Sequence, residues 1–423
     1  MRRRKVIHTS SSKPPLLLLT HRIPYPPDKG DKIRSFHLLK ALSRYFEIYL
    51  ATFVDDPDDW VHCAAVKHFC RDTLFRPLHP MRGRVASLKA LLTGDALSRE
   101  YYRDALMTRW INRVVAEHAI DRAIAVSSPM AQYLLPSSLP RTIKQIYADF
   151  VDLDSEKWRA YAESKSWPQS IVYRREARRL LAWEERVAGF SQRTFFVSRA
   201  EKELFERTAT DQPRNIDFFA NGVDADYFNP NADYEDPFDN HHVNLVFTGA
   251  MDYWPNVDAV SWFVESVMPT MGGMDLEVHF WIVGGKPSAE VKALGQHDRV
   301  HVTGRVPDVR PYLKYATAAV APMRIARGLQ NKVLEAMAMA KPVLVSEAGL
   351  EGIPAVHGEH ALVVRELQNW RPLVADLVHL ANEEIGGRAR DLVLREFSWR
   401  SNLSPVLEQL SSPFQGGYWQ PRP

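Results

Sequence analysis

The stretch APMRIARGLQNKVLEAMAMAKPVLVSEAGLEG, residues 321–352, decides the fold. It opens at the end of a short apolar run, Ala318–Ala321, and passes through a polar loop. An amphipathic segment follows over Leu329–Met339, then a second apolar run over Pro342–Val345. A strand, a loop, a helix and a strand in this order form one βαβ unit, whose strands run parallel. Gly328 stands where the helix begins, and Glu335 lies about two turns further on, among Val333, Leu334, Ala336 and Met337. Helix-start amides and the positive end of the helix dipole suit a pyrophosphate. A carboxylate beside an apolar stripe needs a partner. A ribose diol supplies two hydroxyl donors, and a salt bridge to a neighbouring base is the alternative.

The same alternation extends in both directions. Toward the C-terminal half, strands are expected at Asn244–Gly249, Glu277–Val283 and Val300–Val302, with a helix over Asp258–Val267. In the first half, strands are expected at Pro15–Thr20, Glu47–Phe53, Arg122–Ser127 and Thr142–Ala148, with Arg193–Val197 ending the sheet and a helix over Ile33–Ser43. Between the halves, Phe219 to His242 is rich in Asn, Asp and Pro, which sustain neither a central strand nor a helix interior. The pattern predicts an α/β chain of two doubly wound, Rossmann-like domains, at 14–225 and 240–395. A helical segment over 396–412 is expected to pack back across them, and the helical pattern from Trp370 on breaks near Gly386 and Gly387.

Bulk properties agree with two cores. At 423 residues the chain exceeds what one hydrophobic core usually organises. Hydrophobic residues at 45% and charged residues at 25% fit a globular protein, and a net charge of +3 is too small to imply nucleic acid. Cys63 and Cys70, the only cysteines, give neither a disulfide framework nor a zinc spacing, and a reducing cytosol is expected. The apolar run Leu16–Leu19 is too short for a signal-peptide core or a membrane span, and the basic head Arg2–Lys5 reads as a solvated terminus or an anionic-membrane contact.

Two further loops follow strands, where doubly wound sheets bind ligands. In HRIPYPPDKGDKIRSFHLLKAL, Gly30 admits close backbone approach, and Lys32 and Arg34 add charge; a tight turn with solvated bases reads equally well. In FTGAMDYWPNVDAV, Asn256 reads as a helix cap or a polar ligand contact, and Asp252 and Trp254 are open in the same way. Asp224 and Asp226 form an Asp-x-Asp, but turn and capping roles suffice for them, and no metal is expected. The segments RWINRVV (109–115) and IVYRREARRLLAWEERV (171–187) mix Arg with Trp and Leu, which fits either an amphipathic helix on the protein surface or contact with the inner face of a membrane.

GLQNKVLEAMAMAKPV and FANGVDADYFNP resemble motifs of the glycosyltransferase family 4 enzymes, in the family's order, within a likeness running from Leu16 to about Leu407. YPPDKGDKIRSFHLLKAL, DFVDLDSEKWRAYA and FTGAMDYWPNVDAV resemble more narrowly the sugar transferases of exosortase (PEP-CTERM) exopolysaccharide loci. The resemblance implies a GT-B fold, two Rossmann-like domains facing across a cleft. It also implies retaining transfer from a UDP- or GDP-linked sugar to a glycan or lipid-linked acceptor, in the cytoplasm, with no cofactor. Glu335 would hold the ribose, Gly328 and Leu329 would present amides to the donor, and Gly30 would face it across the cleft. Arg305 and Lys332 would neutralise the diphosphate. The chain departs from the family twice. Arg327 stands where many members carry a first glutamate, and Asp252, Trp254 and Asn256 stand in the loop that often carries an Arg and a Lys. Arg327 thereby becomes a further candidate for phosphate charge. A GT-B scaffold without turnover, binding nucleotide or glycan, is the competing expectation.

Overall fold

The computed structural model describes residues 13–27, 30–79, 83, 89–135, 142–164, 166–210, 215–238, 242–274, 277–326, 329–379 and 383–411. The chain divides into two compact units at Ala220/Asn221, and residues from Leu403 on belong to the first.

The first unit holds β1 (Pro15–Thr20), α1 (Gly30–Leu42), β2 (Glu47–Val54), β3 (Asp72–Pro77), α2 (Ala105–Glu117), β4 (Arg122–Val126), β5 (Gln145–Val151), α3 (Asp154–Ser164), α4 (Gln169–Phe190), β6 (Arg193–Phe196), α5 (Arg199–Thr208) and β7 (Ile216–Phe218). Its seven strands run parallel in the order β3-β2-β1-β4-β5-β6-β7. Strand β1 is central and covered on both faces, so PLLLLT reads as a continuous apolar run with Leu16 to Leu19 wholly buried.

The second unit holds β8 (Val243–Thr248), α6 (Trp254–Trp262), β9 (Val278–Val283), β10 (Val300–Gly304), β11 (Ala318–Ala321), α7 (Asn331–Ala338), β12 (Val343–Val345), β13 (Leu362–Val363), α8 (Trp370–His379), α9 (Glu383–Glu396) and α10 (Trp399–Ser411), the last crossing the boundary between the units. Its six strands, also parallel, follow the order β10-β9-β8-β11-β12-β13. In each sheet the order reverses beside the first strand, between β1 and β4 and between β8 and β11, which opens a crevice at the carboxyl ends there.

Several expectations need correction. The first sheet does not end at β6, because β7 lies beyond it, and the edge strands β3 and β13 were not anticipated; all three are short or only partly buried, so they carry little apolar signal. Strand β5 begins and ends three residues later than expected. Its buried Asp149 looks like a strand end in sequence, but Arg34 neutralises it inside the sheet. Lys32 and Arg34 are not solvated bases or free anion ligands. Lys32 pairs with Asp59 at 2.7 Å, and Arg34 is wholly buried on Asp149. Gly386 and Gly387 lie inside α9 rather than at a break. A Cβ at Gly386 would stand 2.0 Å from the carbonyl oxygen of Ala340, so this glycine permits close helix contact. In α2 and α4 the apolar residues Trp110, Ile111, Val114, Leu180, Trp183 and Val187 are buried, which spends those stripes on the core. Residues Arg2–Lys5 lie outside the described residues.

Candidate functional site

The carboxyl edge of the second sheet is where the polar groups gather. Strand β8 runs into Gly249 and Ala250, β9 into Gly284 and Gly285, β10 into Gly304 and Arg305, and β12 into Ser346. The first two loops are laced together, with Gly249 N donating to Val283 O (3.1 Å) and Met251 N to Gly285 O (2.9 Å). Gly284 sits at φ 159°, and a Cβ there would fall 1.7 Å from the carbonyl oxygen of Gly249, so only glycine fits. The sequence signal for this loop is IVGGKP, a glycine pair directly after an apolar run, which is absent from the expectations above.

Helix α6 begins at Trp254, earlier than expected, with Pro255 in its first turn, where a missing N–H costs nothing. Asn256 is therefore inside the helix and does not cap it. It is 4% exposed, and its Nδ2 donates to the carbonyl of Ala250 (2.9 Å). Its Oδ1 accepts from Lys332 Nζ, also at 2.9 Å. Lys332 lies on the first turn of α7, with its ammonium 4.9 Å from the ring centre of Phe247. An ammonium carries three donors, so Asn256 leaves Lys332 with capacity for a ligand oxygen. Burial pushes Lys332 down to about 8, with the charge of Glu335 opposing.

Glu335 lies one turn further along α7. Its carboxylate makes no salt bridge or hydrogen bond to a described residue, which removes the salt-bridged reading among those residues. Burial pushes its carboxyl up to about 7, with Lys332 drawing it back. A partly buried carboxylate with no donor among the described residues is suited to accept from a ligand's hydroxyls.

The other candidates fall in different places. Arg305 is exposed directly after β10, its Cβ 3.6 Å from where a Cβ of Gly285 would lie. Asp252 is exposed on the turn after β8. Leu329 is half-buried just before α7, which starts two residues later than expected, and it packs against Gly352. Arg327 and Gly328 lie outside the described residues. Gly30 is the exposed first residue of α1, in the first unit. That unit's own carboxyl edge carries a charged cluster: Arg22 bridges Asp31 and Asp55, each at 2.9 Å, and His21 Nε2 stands 3.1 Å from Asp31. Despite burial, hydrogen bonding and charge from His21, with the Arg22 charge, hold the Asp31 carboxyl far below the usual range.

Residues 242–383 match the family of group 1 glycosyl transferases. The second unit carries a group 1 glycosyltransferase domain. No curated relative matches the sequence. Among solved structures the chain is similar to sucrose-phosphate synthase from Thermosynechococcus elongatus, at 16% identity and TM-score 0.65 over 94% of this chain and 99% of that one. It is similar to Anabaena HepE in complex with UDP-glucose, at 14% identity and TM-score 0.63 over 94% and 99%. It is also similar to WaaG, a glycosyltransferase involved in lipopolysaccharide biosynthesis, at 15% identity and TM-score 0.62 over 94% and 100%. At these identities the likeness is one of fold, and the fold is GT-B. Asn256, Lys332 and Glu335 all lie within the matched residues, at the carboxyl edge of the second unit's sheet.

Proposed function

We propose that this glycosyltransferase moves a sugar from a UDP- or GDP-linked donor to a glycan or lipid-linked acceptor in polysaccharide biosynthesis, with retention, as family 4 enzymes do. The observation that carries this reading is Glu335, a half-buried carboxylate with no salt bridge or hydrogen bond among the described residues, one turn from an ammonium held on Asn256. A ribose diol donates to the first and a diphosphate accepts from the second. HepE, of the same fold, is described with UDP-glucose, which supports a nucleotide-sugar donor.

In the transfer, the bond from the anomeric carbon to the diphosphate oxygen breaks and one to the acceptor oxygen forms, while the acceptor's proton leaves with the diphosphate. Negative charge grows on the leaving diphosphate, where Lys332 and Arg305 are suited to stabilise it. This chemistry asks for no bound metal; activity retained in chelator supports that, and its abolition overturns it. Among the described residues no helix is long and apolar enough to cross a membrane. We place the enzyme in the cytoplasm, with peripheral membrane contact through the tip of the α3–α4 hairpin, where Tyr161, Trp167 and Ile171 are exposed beside Arg174 and Arg178.

Calorimetry of UDP, GDP, ADP and their sugar conjugates against wild type and Glu335→Ala tests the donor assignment. Micromolar binding of one nucleotide, lost in the variant, is expected. No binding by any of them favours a scaffold without turnover.

A further inference from the structure

The amino edge of the second sheet carries a second cluster. A six-residue strand spans about 20 Å at ~3.3 Å per residue, so this edge is well removed from Lys332 and Glu335. Asn244 of β8 pairs in register with His279 of β9, and His301 of β10 with Trp281. Since side chains alternate across a strand, His242, Glu277, His279, Trp281 and His301 share one face.

His242 Nε2 lies 3.8 Å from one carboxylate oxygen of Glu277, and His279 Nε2 lies 3.7 Å from the other. All three ligand atoms fall within 4.8 Å of one another. These separations are too long for hydrogen bonds, and His279 Nε2 is buried with no partner among the described residues. The other ring nitrogen of His279 is engaged: Nδ1 stands 2.8 Å from His301 Nε2, and His301 in turn stacks on Trp281 at 4.1 Å between ring centres. If His279 Nδ1 donates in that bond, its Nε2 carries a lone pair facing a carboxylate, an arrangement that a cation between them resolves.

We propose that His242, Glu277 and His279 bind a divalent transition-metal cation of the zinc class, with water in the fourth position. Two imidazoles and a carboxylate are a preferred donor set for such an ion. Metal bonds of about 2.0–2.2 Å place tetrahedral ligand atoms roughly 3.4 Å apart, a few tenths of an ångström inside the observed His–Glu spacings. Glu277, with half its side chain exposed, is free to close that gap. His301 is the positioning residue, since a metal-bound imidazole normally uses its second nitrogen for an orienting hydrogen bond. The ion ties the start of β9 to the residue preceding β8 and takes no part in sugar transfer.

The test uses the full chain without an affinity tag, stripped with chelator and then titrated with zinc by calorimetry and with cobalt by visible absorption. One equivalent of zinc, a tetrahedral cobalt spectrum and a raised Tm are expected. His242→Ala, Glu277→Gln and His279→Ala should each weaken zinc at least tenfold, His301→Ala should weaken it at unchanged stoichiometry, and the exposed control His297→Ala should not. Circular dichroism and nucleotide binding verify that each variant is folded; Glu277→Gln, the mildest change, decides if the histidine variants unfold. Absence of saturable binding below about 100 μM zinc, or binding unchanged in Glu277→Gln, overturns the proposal.

Discussion

Lys332 donates to Oδ1 of Asn256 across 2.9 Å, and Asn256 donates onward to the carbonyl of Ala250, so one amide side chain fixes the first turn of α7 to the loop after β8. The ammonium is held in place before any phosphate arrives. A hydrogen bond to a charged group contributes about 1.5–3 kcal/mol, or roughly ten- to hundredfold in affinity. Lys332→Ala should therefore weaken the nucleoside diphosphate by at least about tenfold while leaving the nucleoside nearly unchanged. Asn256→Ala should show the same selectivity at smaller size. Glu335→Ala should weaken both ligands alike. Calorimetry with UDP against uridine, or GDP against guanosine, separates these patterns.

Acidity gives a second signature. Burial pushes Glu335 up to about 7 and Lys332 down to about 8. A ribose diol needs the ionised carboxylate and a diphosphate needs the protonated amine. Affinity should then rise as pH climbs through about 7 and fall above about 8, with Glu335→Gln flattening the acid limb and Lys332→Met the alkaline one. The sign for stability is opposite on the acid side. A raised carboxyl favours the fold below its unfolded value near 4.5, and that contribution is lost as pH rises through about 7. Glu335→Gln should therefore be more stable than wild type at pH 8 and not at pH 4, as read by urea unfolding at both.

The strands β1 and β11 were legible to their limits because each is central and buried, and α7 was legible from its apolar stripe although it starts two residues later than expected. The short edge strands β3, β7 and β13 were not, since strands with one open side need little apolar sequence. At the site, Lys332 and Glu335 could be named from their motif, but the pairing of Lys332 with Asn256 joins residues 76 apart and has no sequence signature. Arg34 misled for the same reason: an arginine at a helix start looks like an anion ligand unless its strand partner, 115 residues away, is known.

Gly386 and Gly387 test that distinction between local and tertiary causes. By local rules both weaken α9 equally. A Cβ at Gly386 meets the backbone of Ala340, whereas at Gly387 nothing lies within 4 Å. Gly387→Ala should stabilise by about 0.5–1 kcal/mol through helix propensity. Gly386→Ala should destabilise by roughly 1–3 kcal/mol, since α9 must shift to admit the methyl. Thermal melts of the two variants give opposite signs if contact, not propensity, governs the first position.

The proposed membrane contact predicts that the protein floats with vesicles containing anionic lipid at low salt and loses them as salt screens the arginines. Trp167 is 77% exposed and Ile171 56%, so replacing both with serine removes apolar area without touching the core. Flotation should fall severalfold in that variant while nucleotide binding stays intact. Wild type remaining with the soluble fraction at low salt excludes the contact.

Arg34 and Asp149 form a wholly buried pair, with Nε on one carboxylate oxygen at 2.7 Å and Nη2 on the other at 2.9 Å. Nη1 also donates to the carbonyl of Phe219 at 2.8 Å, and the guanidinium lies 3.5 Å over that ring. Removing one partner leaves an unpaired charge in the core, which costs about 3–5 kcal/mol. Arg34→Ala should destabilise the first unit by that order, and Arg34→Lys should not rescue it, because an ammonium cannot match both oxygens and the carbonyl at once. Replacing both partners with apolar residues, Arg34→Met with Asp149→Leu, should recover most of the loss, since no charge is then stranded. Urea unfolding of the first unit reads all three variants, and nucleotide affinity supplies the control: under the donor site proposed at Lys332 and Glu335 it should remain at the wild-type value while the first unit loses stability.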